Sequence, residues 1–175
     1  MSFFYSKFAL NNLVKNKKFI IPYVLSAIFT IMSFYILSSL AFGDNLNKLP
    51  NGIDATKQVL SLGIIVIAIF SIIFLFYTYS FLVKRRVKEF GLYSVLGMTK
   101  KQIAKILVLE TIFIAVTTIV LGIGLGIIFD KLMLLVLLKL FSAGVSFGFS
   151  ITPIAIVFSV LLFGGIYFLL LLYTV

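Results

Sequence analysis

Cysteine and histidine are absent from the sequence, and only five of its 175 residues are acidic. Their absence excludes a disulfide, a His/Cys zinc site, and any Ser-His-Asp or Cys-His nucleophile set. The acids stand apart at Asp44, Asp54, Glu89, Glu110 and Asp130, so paired-carboxylate chemistry has no basis in the sequence either. A phosphate loop of the form G-x-x-x-x-G-K-[ST] is also missing, which removes this chain as an ATPase by that route. No catalytic residue, metal ligand or cofactor of its own is expected. Charge is scarce overall: 11% of residues are charged, against roughly a quarter in ordinary soluble domains.

Apolar residues take up that space, with 62% of the chain in the AVILMFWYC group and a mean hydropathy of +1.25. They come in runs too long for the core of a small soluble domain. The chain therefore reads as an integral, all-α membrane protein. Phe19 to Gly43, Val59 to Val83, Thr111 to Phe129 and Ile151 to Val175 are free of charge and form four candidate spans. The first exceeds the apolar core of a signal peptide and reads as a retained helix, although Ser39-Leu40-Ala41 has a cleavage-like pattern. Pro153 falls where a helix N-terminus tolerates proline.

A net charge of +10 raises the question of nucleic acid, but the cations flank apolar runs instead of forming one basic face. Anionic lipid headgroups suit that distribution better. Eleven Lys and Arg residues fall on one side of the four spans and four on the other. Cations are retained in the cytoplasm, so both termini are expected inside. The N-terminal piece, with Phe3, Phe4, Tyr5, Phe8, Leu10 and Leu13 among Lys7, Lys15, Lys17 and Lys18, is expected at the inner surface. The outer loop Asp44 to Gln58 is turn-rich and short. The segment Asp130 to Thr152 leaves two readings open: a continuation of span three beyond the membrane, or a short helix lying in the outer interface.

The most informative stretch joins spans two and three. Gly97 is the residue type that ends a helix in a left-handed conformation. Thr99 with Gln102 makes the capping box of a new helix. The reading is a helix from Val87 to Leu96, a tight break at Gly97-Met98, and a long helix that becomes span three. The short helix is apolar on nearly every side, through Val87, Phe90, Leu92, Tyr93, Val95 and Leu96. Two coverings are open for that surface, lipid headgroups alone or a protein partner docking from the cytoplasm.

These residues carry a resemblance. Glu89-Phe90-Gly91-Leu92, followed after three residues by Leu96-Gly97-Met98-Thr99-Lys100-Lys101-Gln102-Ile103, resembles the segment between two membrane helices in FtsX-like permeases of ABC transporters. Phe8-Ala9-Leu10-Asn11-Asn12, Lys15-Asn16 and Tyr23-Val24-Leu25-Ser26 resemble the opening of the bacitracin-resistance (BceB-type) branch. Leu109-Glu110, the Gly122-to-Gly126 run and Lys131-Leu132 extend the likeness along the chain. The resemblance implies a division at 1–58, an interfacial segment with the first span and outer loop, and 59–175, a three-span permease unit. It implies that the short helix is a coupling helix, whose Glu89, Phe90, Gly91, Leu92, Tyr93, Leu96, Gly97 and Met98 meet a separately encoded ATP-binding subunit. ATP would sit on that subunit. It further implies a bacterial cell-membrane location and a role against cell-wall-directed antimicrobial peptides, often beside a sensor histidine kinase. Such permeases have about ten spans and a large outer domain, so these four spans read as an N-terminal part or as one half of a split permease. A signalling or scaffold module for a peptide-sensing kinase, and a small pore-forming protein, stand as alternatives.

Two intramembrane features remain. Thr111, Ala115, Thr118, Gly122 and Gly126 lie at helical spacing along one stripe, a surface that lets backbones approach closely. Gly164-Gly165 in span four is its expected partner, with dimerisation as the alternative. Glu110 sits about 16 Å beyond the Thr99 cap, where a carboxylate is costly unless neutral or paired. A structural clamp between Glu110 and Arg85, or Lys84, is expected in preference to a proton relay, because a lone carboxylate has no chain of proton-accepting partners.

Overall fold

The computed structural model describes residues 16–43, 53–140 and 152–174. The expectations for the N-terminal segment up to Lys15, for loop residues 44–52 and for the Ser/Gly stretch at 141–151 lie outside the described residues. Those that are described form five helices: α1 (Lys17–Phe42), α2 (Ile53–Arg85), α3 (Val87–Val95), α4 (Lys100–Leu140) and α5 (Pro153–Thr174). Four of them, α1, α2, α4 and α5, are long and apolar enough to cross a bilayer. The chain is a multi-pass, all-α membrane protein with one short helix between its second and third spans.

Local sequence explains the boundaries. Pro153 opens α5, where its missing N–H is no loss, and the Ala155 amide closes the first turn on the Thr152 carbonyl at 3.1 Å. Helix α4 is 41 residues long, about 60 Å, because nothing between Lys131 and Leu140 interrupts it. Of the two readings open for that segment, the continuous helix is the one observed. Asp130 faces inward on it, with Lys131 Nζ 3.4 Å away.

Helix α1 is the inner helix. Half of its most apolar stretch is buried, against 11% for α2, because α1 meets α2, α4 and α5 at once. Ile31 and Phe34 of α1, Leu75 of α2 and Phe163 and Leu170 of α5 close the core. The rings of Phe34 and Phe163 meet edge to face at 5.6 Å. Several hydroxyls inside this core find one another, as is favoured where water is excluded, whereas those of Tyr23 and Ser38 are buried without a hydrogen-bond partner among the described residues. Tyr79 OH lies 2.8 Å from both Thr111 Oγ1 and Thr174 Oγ1, and Tyr167 OH lies 2.8 Å from Thr118 Oγ1. These contacts tie α2, α4 and α5 together. The outer face of α2, including Leu62, Val66, Ile69 and Ile73, is left to hydrocarbon.

The glycine stripe of α4 does meet another helix, but not the expected one. A Cβ placed on Gly122 would lie 2.7 Å from Ile31 Cβ, and one on Gly126 would lie 2.8 Å from Tyr35 Cδ1. Both neighbours belong to α1. Gly164 and Gly165 have no side-chain or foreign backbone atom within 4 Å of their Cβ positions, so they are not the counterpart of the stripe. The close approach goes to α1 because that helix occupies the centre of the bundle.

Candidate functional site

The site is built around two helix breaks only eleven residues apart. At the first, Arg86 alone separates α2 from α3 and takes the N-cap position with φ −94° and ψ 0°. At the second, Gly97 has φ +88°, a left-handed conformation that only glycine adopts without strain. The Gly97 amide bonds the Ser94 carbonyl at 3.1 Å and the Met98 amide bonds the Tyr93 carbonyl at 3.0 Å. Those two bonds define a Schellman turn. Gln102 Oε1 then accepts the Thr99 amide at 2.9 Å, the side-chain arm of the capping box read from the sequence. The nine residues of α3 are thus fixed in direction at both ends.

Between the breaks, α3 has two unlike sides. Glu89, Phe90 and Tyr93 are half-buried against the bundle, as is Met98 in the turn. Leu92, Val95 and Leu96 point away at 58, 85 and 73% exposure, with Gly91 open beside them. That triplet recurs at spacings of three and four, one continuous apolar stripe that the bundle does not cover.

The inward side is held by charge. The Arg86 guanidinium grips Glu110 of α4 with both terminal nitrogens, Nη1 to Oε2 and, at 3.2 Å, Nη2 to Oε1. Its Nε reaches Glu89 Oε2 at 3.3 Å, and its face lies 5.4 Å from the Phe90 ring centroid. Asn16, just before α1, donates to the same Glu89 oxygen at 2.9 Å. One side chain therefore joins the α2–α3 corner to α4 and, through Glu89, to the start of α1. Arg86 and Glu110 are only 3 and 2% exposed. Burial works against the Arg86 charge, but the hydrogen bonds and negative charges of Glu110, then Glu89, outweigh it and hold the guanidinium above its ordinary pKa.

The clamp on Glu110 is therefore made by Arg86 and not by Arg85. The reason is rotation: Arg86 is the residue at which the helix breaks and faces the bundle, whereas Arg85 ends α2 one position earlier. Arg85 lies over the rings of Phe81 and Phe19, 4.3 and 5.2 Å from their centroids. Sequence reasoning also missed Asn16. Asn16 carries the Lys15-Asn16 likeness but no role in the sequence reading, and its position at the foot of the first span, ahead of a cationic turn, was its other signal.

Similarity to other proteins bears on what such a corner is for. Residues 61–175 match the family described as FtsX-like permease C-terminal. The chain belongs to the FtsX-like permease family. It is 32% identical over 154 residues to the ABC transporter permease YvcS of Bacillus subtilis, covering 87% of this chain and 24% of that protein. It is 29% identical over 163 residues to the bacitracin export permease protein BceB of Bacillus subtilis, covering 93% of this chain and 25% of that protein. A bacitracin export permease protein BceB from Halalkalibacterium halodurans is 28% identical over the same share of this permease chain. The chain spans about a quarter of the length of these relatives.

Proposed function

We propose that this permease segment receives the motion of a separate ATP-binding subunit through α3, which acts as its coupling helix, and passes that motion to α1, α2 and α4. The observation that supports this reading most is the pairing of two features on one nine-residue helix. Its outer stripe of Leu92, Val95 and Leu96 is apolar and uncovered, while its inner side is bolted through Arg86 to Glu110 and through Glu89 to Asn16. An element resting in headgroups has no need of such a linkage. A helix that is pushed does.

In this reading the α3 end of the bundle faces the cytoplasm, in line with the excess of Lys and Arg there, and both termini lie on that side. ATP is bound by the partner and not by this chain. The bacitracin export relatives support a role against antimicrobial peptides directed at the cell wall, in a bacterial cell membrane. The remainder of a permease, on this or a second chain, and a sensor histidine kinase complete the assembly.

Co-expression with the ATP-binding subunit tests the docking. Leu92→Asp and Leu96→Asp should each reduce co-purification of the ATPase at least tenfold while leaving the permease folded, since both side chains are exposed. Retention of the ATPase by both variants would refute α3 as the contact. The topology has its own measurement, made clean by the absence of native cysteine. A cysteine placed at Val95 should resist a membrane-impermeant maleimide in intact cells and react after the cells are opened. Labelling of intact cells would invert the orientation.

A further inference from the structure

Arg85, released from the clamp by its neighbour, lies at the mouth of a groove between α1 and α2 at the α3 end of the bundle. The groove has a volume of about 340 Å³, at the small end of the ligand-site range. Phe19 and Phe81 also line it, and their ring centroids lie 5.2 and 4.3 Å from the central carbon of the Arg85 guanidinium, within cation-π range. Lys18 stands on the opposite wall. Neither cation has an ion pair among the described residues, and no acidic residue lines the groove.

The depth of the groove follows from α1. Pro22 lies inside that helix, so the bond that an ordinary residue would donate to the Lys18 carbonyl is missing and the ring pushes that carbonyl aside. The next turn carries a small residue, Ser26, whose hydroxyl is spent on the Pro22 carbonyl at 2.7 Å. On the facing wall Thr78 is likewise spent on the Phe74 carbonyl at 2.7 Å. The Ser26 and Thr78 hydroxyls are therefore not available to a ligand, the Tyr23 hydroxyl is buried, and the charged groups among the lining residues are the two cations.

We infer that this groove is a binding site for one anionic phospholipid, with the phosphate held by Arg85 and Lys18 and an acyl chain lying along Pro22, Ser26 and Leu82. Two unpaired cations above an apolar slot open to the bilayer match a molecule that is anionic at one end and aliphatic below it. The cation-π contacts fix the guanidinium in place, so binding its phosphate costs little side-chain entropy. The site is independent of the docking role assigned to α3, and its occupancy does not depend on which face of the membrane α3 occupies.

The test uses the full chain in nanodiscs of phosphatidylcholine with a minor fraction of phosphatidylglycerol of equal chain length, read as lipid retained in native mass spectrometry. Wild type should retain phosphatidylglycerol in preference to phosphatidylcholine. Arg85→Gln should lower that preference about fivefold, and Arg85→Gln with Lys18→Gln about twentyfold. Lys84→Gln removes a neighbouring cation that does not line the groove and should leave retention unchanged. Ser26→Trp fills the slot with both charges intact and should release the lipid. Added inorganic phosphate should not displace it, because free phosphate lacks the chain. Equal retention of the two lipids, equal loss in Lys84→Gln and Arg85→Gln, retention in Ser26→Trp, or displacement by phosphate would each overturn the site.

Discussion

Glu110→Gln is expected to cost the bundle about 3 kcal/mol, at the lower end of what breaking a buried ion pair costs. Glu110 is 2% exposed and takes both terminal nitrogens of an equally buried Arg86, so the variant strands a guanidinium in a dry site. The loss stays at the lower end because Glu89 remains 3.3 Å from Arg86 Nε and is itself partly solvated. Arg86→Gln should cost more, about 4–5 kcal/mol, since it removes the bonds of one guanidinium to both the buried Glu110 and Glu89 carboxylates. Arg85→Gln should stay within about 1 kcal/mol, its guanidinium being exposed and held only by two rings. The double variant Arg86→Met with Glu110→Leu should recover most of the loss, because it removes both buried charges and leaves only the partly solvated Glu89. Denaturant unfolding in mixed micelles gives all four values. If Arg85→Gln cost as much as Arg86→Gln, the clamp would be misassigned.

The Arg86–Glu110 pair also marks where sequence reading stops. Glu110 announces itself, since a carboxylate within an apolar helix must find a partner, and the candidates narrow to the cations ending α2. Choosing among Lys84, Arg85 and Arg86 requires the rotation of a helix at its last residue, where one position changes direction by about 100°. No periodicity fixes that angle. Gly97 and the Thr99–Gln102 box were legible for the opposite reason, because their geometry is local: a φ of +88° and a three-residue hydrogen bond follow from residue type alone. The four spans were legible because bilayer thickness imposes length directly. The order of packing was not. Helices α1, α2, α4 and α5 are apolar all round, so none carries a polar face to show which side turns outward, and nothing in the sequence placed α1 at the centre.

The consequence of that central position can be measured at Gly122. Its Cβ position lies 2.7 Å from Ile31 Cβ, 2.8 Å from Ile31 Cγ2 and 3.3 Å from the Ile28 carbonyl oxygen. Ile31 cannot swing aside: it is β-branched, wholly buried, and clamped at the atom next to its own backbone. A single added methyl must therefore move α1 away from α4, and Gly122→Ala is expected to cost about 2–3 kcal/mol, the upper range for overpacking. Gly122→Leu should prevent the bundle from forming, because Phe34 lies one turn from Ile31 on the same side of α1, so separating the helices there also opens the Phe34–Phe163 contact. Gly164→Ala and Gly165→Ala have open space and a helix to gain from a better helix former, so they should be neutral or stabilising by up to about 1 kcal/mol. The pair Gly122→Ala with Ile31→Ala settles the assignment. Ile31→Ala alone creates a cavity worth about 2–5 kcal/mol, but a methyl at position 122 grows into that cavity, so the double variant should cost clearly less than the two singles added. Strict additivity would mean that the two helices do not touch there.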